Sequence, residues 1–124
     1  MFATGVKAEL TARHFLPNES GPESSPHSHP YEVEWICTTT DLDSSGYAVD
    51  ISMMEGVLAE VLGAIDNVLL NDLPYFSTRQ PSLENLATYL HQRLGESASA
   101  AGAAFATMEI RIWESPTAWA SYRE

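Results

Sequence analysis

Three histidines and one glutamate have the types and spacing of a metal-assisted active site. His27 and His29 stand one residue apart in the stretch GPESSPHSHP (21–30), and Glu23 precedes His27 by four positions. Residues i and i+2 of a strand point the same way, so the two imidazoles can meet at one point. His14 falls on the apolar side of an earlier alternating segment, which is a candidate for the neighbouring strand. Three histidines without a fourth protein ligand are typical of a catalytic zinc site with one open coordination position.

Each of these residues also has an ordinary interpretation. A histidine pair beside a loop is often only solvated, and Glu23 is one acid among many in this chain. Interpreted functionally, Glu23 is a general base, because a carboxylate near a metal-bound substrate can take a proton from carbon or oxygen. His91 has no partner beside it in sequence and is expected at the surface. The residues alone leave these alternatives open.

Two acids further along the chain are weaker candidates. Asp66 and Asn67 end the first predicted helix, a position that Asp and Asn favour without any chemistry. Glu114 closes the third predicted strand. It is either a turn acid or a carboxylate that pairs with the N–H and NH2 edge of a heterocycle.

The elements that must position these residues follow the order strand, strand, helix, helix, strand, strand. Alternation of apolar and polar residues predicts strands at 6–15, 29–39, 106–113 and the final AWASY segment. Residues 17–28 are rich in Pro, Ser and Gly and form a loop. Four antiparallel strands with two helices on one face make a small α+β domain, which we expect to comprise residues 1–124.

The helix boundaries follow from capping patterns. The first helix is predicted to begin at a capping box, with Ser52 as N-cap and Glu55 at the third helical position. The second is predicted to start near Pro81-Ser82 and to stop at Gly95, followed by a small-residue linker over 96–104.

Composition narrows the possible partners. Seventeen Asp and Glu against six Lys and Arg give a formal charge of −11, which counts against nucleic acid as a partner. No run of 18 apolar residues exists, so we expect no membrane partner. The single cysteine, Cys37, is interpreted as a buried apolar residue and fits a reducing compartment. With no signal-peptide pattern at the N-terminus, a cytoplasmic location is expected.

We also expect the chain to be a homo-oligomer. Trp113 and Phe15 fall on the sheet face opposite the aliphatic rows, so that face is not polar throughout. Other copies of the chain are expected to bury this face and the sheet edges.

The order of these features resembles the 6-pyruvoyl-tetrahydropterin synthase family, which includes the 6-carboxy-tetrahydropterin synthases. The resemblance covers roughly residues 5 to 122 and rests on order and spacing rather than on one motif. Its parts are His14-Phe15, His27-x-His29 with the following Tyr-x-Val, SSGYAVDI (44–51), Ile65-Asp66 with LLND (69–72), PSLENLATYL (81–90), Ile112-Trp113-Glu114 and the terminal Tyr122.

The resemblance implies an architecture and a site. The architecture is the tunnelling fold, a ββααββ unit that neighbouring copies close into a β-barrel, usually as a hexamer built from two trimers. The site lies between subunits, with Zn²⁺ on His14, His27 and His29. The family's pterin-anchoring acid matches Glu114. Its Thr-x-Glu-Asn helix start appears with Ser in place of Thr and implies Ser82 and Glu84 as substrate-binding residues.

Two positions depart from the family pattern. Members that make the pyruvoyl product use a Cys as base a few residues before the His-x-His motif, where this chain has Glu23. They also carry an Asp-His pair after the first helix, which here is Asp66-Asn67. Asn does not exchange a proton near neutral pH, so one arm of the proton relay is absent.

The resemblance therefore implies a zinc-dependent pterin lyase with catalytic Glu23 and Asp66. The implied substrate is 7,8-dihydroneopterin, its triphosphate or a related pterin. Because the chain has few cations, a non-phosphorylated pterin is one of the options. The alternative is a homologue that binds zinc and a pterin without catalysis.

Overall fold

Four strands and two helices make up the chain, and the computed structural model describes residues 1–124. The strands are β1 (Phe2–His14), β2 (His27–Thr39), β3 (Thr107–Ser115) and β4 (Ala118–Arg123), and the helices are α1 (Ile51–Gly63) and α2 (Leu83–Ala100). Short 3₁₀ turns lie at Gly21–Ser24, Leu70–Asp72 and Pro74–Phe76. The strands form one antiparallel sheet in the order β1-β2-β3-β4. The predicted α+β class and element order are confirmed.

The core lies between the helices and one face of the sheet. Alternate strand residues face inwards, so Val33, Trp35, Ile110 and Ile112 are all 0 % exposed. The helix α1 packs against β1 and α2, and α2 packs against β3 and β4. Each fully buried aliphatic side chain contributes roughly 1.5–3 kcal/mol, so this face supplies much of the stability. No helix is both long enough and apolar enough to cross a membrane.

The N-cap of α1 is Asp50, and the predicted capping box of Ser52 and Glu55 is wrong. Oδ1 of Asp50 accepts hydrogen bonds from the N–H groups of Ser52 at 2.9 Å and Met53 at 3.3 Å. A carboxylate is favoured here because it also faces the positive end of the helix dipole. Ser52 therefore lies within the first turn.

The helix α2 continues to Ala100, so the predicted stop at Gly95 and the linker that begins at residue 96 are wrong. Ala98 is 0 % exposed, which shows that helix packing continues beyond Gly95. Just beyond the C-cap, Gly102 has φ of +82° and its N–H donates to the carbonyl of Ser99 at 3.0 Å. This is the left-handed glycine ending of a helix. Tertiary packing thus outweighs the low helix propensity of Gly95.

The outer face of the sheet carries a tryptophan pair among charged residues. Trp113 and Trp119 are paired across β3 and β4, with ring centroids 6.0 Å apart. Trp119 is 47 % exposed, and the Arg111 guanidinium lies 4.2 Å from its ring centroid. The expectation that other copies cover this face stays a prediction.

Candidate metal centre

The register of β1 and β2 brings the three histidines to one end of the sheet. His14, the last residue of β1, pairs with His27, the first residue of β2, and Ala12 pairs with His29. All three imidazoles point to the same face of the sheet as the core residues. His14 is 5 % exposed, and the other two histidines are half-buried.

The four predicted residues converge. Nε2 of His14 lies 2.9 Å from Nε2 of His27, and the ring centroid of His29 lies 5.0 Å and 4.9 Å from the centroids of those two rings. The Oε2 atom of Glu23 lies 3.6 Å from Nε2 of His27. One ligand atom from each of the four side chains falls within 4.8 Å of the others.

Backbone carbonyls select the tautomers of two histidines. Nδ1 of His14 lies 3.0 Å from the carbonyl oxygen of Pro81, and Nδ1 of His27 lies 2.8 Å from that of Ser25. A carbonyl oxygen only accepts, so each Nδ1–H donates and each Nε2 presents a lone pair. Two lone pairs 2.9 Å apart repel one another, and a cation between them removes the repulsion. This donor set therefore fits a metal ion.

Burial and charge favour the metal-binding form of His14. Its pKa is lowered, first by burial and then by the neighbouring His27 and His29, so it is neutral at pH 7. Tyr31 lies beside it, with Oη 3.3 Å from Nδ1 of His14 and its ring stacked on His29 at 5.5 Å. Burial raises the pKa of Tyr31, and the Glu114 and Glu23 carboxylates raise it further. Tyr31 is therefore a neutral phenol in this site.

The segment that carries Glu23 is tied to the rest of the molecule. The N–H of Leu16 donates to the carbonyl of Glu23 at 2.6 Å. The side chain of Asn71 bonds both the N–H and the carbonyl of Phe15, at 3.0 Å and 3.1 Å. The N–H of Asn18 donates to Oε1 of Gln80 at 2.9 Å. Glu23 itself lies on an exposed 3₁₀ turn, which restricts its backbone but leaves its side chain accessible.

The start of α2 supports His14 through the backbone. Ser82 is the N-cap of this helix and accepts from the N–H of Asn85 at 3.2 Å. Nδ2 of Asn85 donates to the carbonyl of Gln80 at 2.8 Å, which holds the peptide that precedes the Pro81 carbonyl. Glu84 is exposed in the first turn. Ser82 and Glu84 are therefore near His14 through Pro81 but are not members of the cluster within one chain.

Glu114 borders a cavity on the outer face of the sheet, together with Glu9, Glu32 and Trp113. The register of β3 and β4 shifts between Trp113 and Ser115, and Glu114 lies at this irregularity. The cavity has a volume of about 490 Å³, within the range of small-molecule sites. Tyr31 borders the cavity as well, but none of the three histidines lines it, because their imidazoles face the inward side of the sheet.

Asp66 lies at the edge of β1 rather than in the cluster. Its Oδ1 accepts from the N–H of Thr11 at 3.0 Å, and the N–H of Asn67 donates to the carbonyl of Thr11 at 2.7 Å. Asn67 has φ of +60°, a left-handed conformation that Asn tolerates better than most residues. The pair thus has a structural role in covering part of an exposed strand edge.

Sequence reasoning missed several supports of this site. Tyr31 continues the i, i+2 row of His27 and His29, so extending that row by one step identifies it. Pro81 contributes only a backbone carbonyl, which no side-chain pattern reveals. Gln80 has no sequence signal that marks its contact with Asn18.

The expectation that His91 is an isolated surface residue is wrong. It is half-buried, its Nε2 lies 3.1 Å from the carbonyl oxygen of Met108, and its ring packs edge-on against Tyr122 at 4.9 Å. His91 resembles His14 in having a carbonyl and a tyrosine beside it. It lacks the neighbouring histidines, so it is a matched control for the metal cluster.

Comparisons of the sequence with a family model and with a curated relative point to the same protein family. Residues 4–124 match the family model described as 6-pyruvoyl tetrahydropterin synthase. The chain is 29 % identical over 127 residues to the 6-carboxy-5,6,7,8-tetrahydropterin synthase of Bacillus subtilis (strain 168), covering 98 % of this chain and 85 % of that protein.

Two solved structures share the fold. The 6-pyruvoyl tetrahydropterin synthase of Caenorhabditis elegans superposes with a TM-score of 0.79 at 22 % identity, covering 99 % of this chain and 95 % of that one. A Plasmodium vivax 6-pyruvoyltetrahydropterin synthase, in which a catalytic glutamate is replaced by alanine, gives a TM-score of 0.76 at 17 % identity, covering 100 % and 99 % of the two chains.

Proposed function

The chain belongs to the 6-pyruvoyl tetrahydropterin synthase family, and from this premise we propose that it is a zinc-dependent lyase acting on the side chain of a reduced pterin. The proposed substrate is 7,8-dihydroneopterin, its triphosphate or a related pterin. The observation that carries the proposal is the convergence of His14, His27, His29 and Glu23 within 4.8 Å. A lyase of this kind needs a metal to polarise oxygen and a base to move a proton, and both sets of donors meet here.

Zinc is the ion that we propose for the three histidines. Three imidazole ligands with an open position are the usual donor set of a catalytic zinc site. The hydrogen bonds to Pro81 and Ser25 aim the Nε2 atoms of His14 and His27 at one another, as carbonyls that accept from metal-ligating histidines do. When bound, zinc would supply Lewis acidity towards oxygens of the pterin side chain.

Glu23 is proposed as the base rather than a fourth permanent ligand. Its side chain is 53 % exposed on a 3₁₀ turn, so it can reach a substrate that enters from solvent. The Plasmodium vivax relative is described by the replacement of a catalytic glutamate, which shows that a carboxylate serves a member of this fold. For this chain we assign proton abstraction from the pterin side chain to Glu23, whose Oε2 lies 3.6 Å from Nε2 of His27.

Substrate binding is proposed to involve Glu114 and a neighbouring copy of the chain. The exposed Glu114 carboxylate lies close enough to Tyr31 to raise the pKa of that phenol, and it can accept two hydrogen bonds from the N–H and NH2 edge of a pterin. Asp66, Ser82 and Glu84 lie outside the cluster of one chain. We propose that they take their catalytic and substrate-binding roles in a site shared between subunits. We propose a homohexamer, a dimer of trimers closed into a β-barrel, in the cytoplasm.

Product analysis with a matched pair of variants tests the activity. Zinc-loaded protein is incubated with 7,8-dihydroneopterin and, separately, with its triphosphate, and products are identified by mass spectrometry. Glu23→Gln is expected to lower turnover roughly 100-fold or more while zinc content is kept. Glu19→Gln, in the same loop, controls for the loss of one charge. Turnover no higher in the wild type than in Glu23→Gln would contradict the proposal, and loss of zinc in Glu23→Gln would make Glu23 a ligand instead of a base.

Asn67 favours a second candidate, a zinc- and pterin-binding protein without catalysis. An amide replaces the histidine of the family's relay, and its left-handed backbone has a structural explanation of its own. This candidate predicts pterin binding that Glu114→Ala abolishes, with no product from either substrate. Detectable product from wild-type protein excludes it.

A further inference from the structure

The segment 66–71 runs along the free edge of β1 beside the metal cluster. The carbonyl of Val68 accepts from the N–H of Arg13 at 3.1 Å. Two residues further along the chain, the backbone of Phe15 is bound by the side chain of Asn71. Alternate residues at the histidine end of β1 are therefore held from outside the sheet.

The side-chain amide of Asn71 binds both backbone groups of Phe15. Its Oδ1 accepts from the N–H at 3.0 Å, and its Nδ2 donates to the carbonyl at 3.1 Å. A side-chain amide supplies an acceptor and an N–H donor side by side, whereas a carboxylate only accepts. The neighbouring Leu70 is 0 % exposed, so the turn that carries Asn71 is anchored in the core. The amide is therefore a fixed clamp on the backbone of Phe15.

One peptide unit connects this clamp to Glu23. The carbonyl of Phe15 and the N–H of Leu16 belong to the same planar, trans peptide, so they point in opposite directions. The N–H of Leu16 donates to the carbonyl oxygen of Glu23 at 2.6 Å. A hydrogen bond to the carbonyl of a peptide also polarises its N–H. The bond from Asn71 thus both orients and strengthens the bond that holds Glu23.

The Glu23 side chain depends on this backbone support. It is 53 % exposed and lies on a four-residue 3₁₀ turn that has no buried residue. Its Oε2 lies 3.6 Å from Nε2 of His27, which is longer than a hydrogen bond. The main chain therefore sets where the carboxylate lies relative to the histidines.

We propose that Asn71 is a positioning residue for Glu23: its amide fixes the peptide between Phe15 and Leu16, and this peptide holds Glu23 beside the metal cluster. The inference deepens the proposed function and rests on its assignment of Glu23 as the base. A displacement of about 1 Å at a reacting group can cost a large part of the rate. Asn71 is therefore assigned to turnover through the backbone, without being a member of the cluster.

Hydrogen exchange of the Asn71→Asp variant tests the clamp without requiring turnover. The new carboxylate still accepts from the N–H of Phe15, but it cannot donate to the carbonyl and repels it. Exchange is followed on zinc-loaded protein by mass spectrometry with fragmentation to single amides. The Leu16 amide is expected to exchange about tenfold faster, because its bond to Glu23 opens more often, and the amides of the Gly21–Ser24 turn should follow. Asn18→Asp makes the same chemical change on an exposed side chain of the loop and should leave both unchanged.

Steady-state kinetics separates positioning from a general loss of structure. Asn71→Asp should lower kcat about tenfold or more, while the KM for the pterin and the zinc affinity stay within about twofold of the wild type. In a Glu23→Gln background the same change should lower kcat no further, because the base that it positions is already absent. Asn71→Ala removes the amide without adding charge, so it should behave in the same way and serves if the aspartate variant does not fold.

Three results would overturn the role of Asn71. They are unchanged exchange at Leu16 in both variants, raised exchange with wild-type kcat, and loss of zinc affinity, which would assign the clamp to His14 instead. The lyase fails in a different way, by the absence of product from wild-type protein. In that case faster exchange at Leu16 and in the Gly21–Ser24 turn still supports the clamp and contradicts only the lyase.

Discussion

The inward-facing side chains of β2 form a row whose two halves have different surroundings. Its first half presents His27, His29 and Tyr31, and its second half presents Val33, Trp35 and Cys37. The second half is 0 % exposed within the core. The first half is covered by the loop before β2 and by the segment before α2, which leave the two histidines half-buried.

The difference shows that strand alternation determines which face of the sheet a side chain points to, but not whether it joins the core or a site. One parity aims six side chains at the same face, and the covering elements decide whether they form a core or a site. Helices cover the apolar half and exclude water. A polar loop covers the other half and leaves His27 and His29 partly exposed to solvent.

The largest expected effect is loss of stability in the core half. Trp35→Ala removes a fully buried indole and should lower the free energy of unfolding by about 3–5 kcal/mol. Urea unfolding in the presence of a chelator measures it, with Ile110→Val as a milder variant expected to cost about 0.5–1.5 kcal/mol if the first does not fold. A cost below 1 kcal/mol for Trp35→Ala would contradict tight packing of this half.

The site half should show the opposite behaviour. His29→Ala is expected to weaken zinc binding roughly 100-fold or more, because a proposed ligand is lost, while zinc-free stability changes by less than about 1 kcal/mol. Competition with a chromophoric chelator measures the affinity. His91→Ala, which removes an imidazole far from the cluster, should keep zinc affinity. Equal loss in both variants would mean that the histidines of the row are not specific ligands.

The support of His14 through α2 should give an intermediate effect. Asn85→Ala removes the donor to Gln80, loosens the Pro81 carbonyl and should weaken zinc binding about tenfold. Its structural cost is expected to be about 1 kcal/mol. Thr88→Ala removes a side-chain hydrogen bond one turn later in the same helix and should leave zinc affinity unchanged. If both variants keep full affinity, the carbonyl does not position His14.

The smallest expected effect concerns Cys37 and alkaline pH. Burial raises the pKa of this thiol to about 12, whereas it titrates near its ordinary value in the unfolded chain. The folded state then holds a proton that the unfolded state releases, so its stabilising contribution is present below pH 9 and is lost as pH rises towards 12. Between pH 9 and pH 10 the loss should be about 1 kcal/mol, and Cys37→Ala should remove this part of the slope in urea unfolding. An unchanged slope would contradict the burial of the thiol.

Prediction from sequence succeeded where local periodicity carries the information. Strand alternation placed His14, His27 and His29 on the core parity, and the helix stripes placed α1 and α2 on one sheet face. It failed at the start of α1, where two patterns competed and the carboxylate of Asp50 was favoured. It failed again at Gly95, where packing around Ala98 outweighed intrinsic propensity. It treated His91 as isolated because its contact with Met108 is formed between elements.

The amino-acid sequence by itself determined the acidic charge, the residue types of the cluster and the parity that aims them inwards, because these depend on composition and on neighbours a few positions apart. Only the tertiary structure decided which nitrogen of His14 faces the cluster, since that depends on a carbonyl 67 residues away. It also brought His14 to His27 and placed Asp66 on the edge of β1. Such contacts form when distant segments pack together, and no local pattern encodes them.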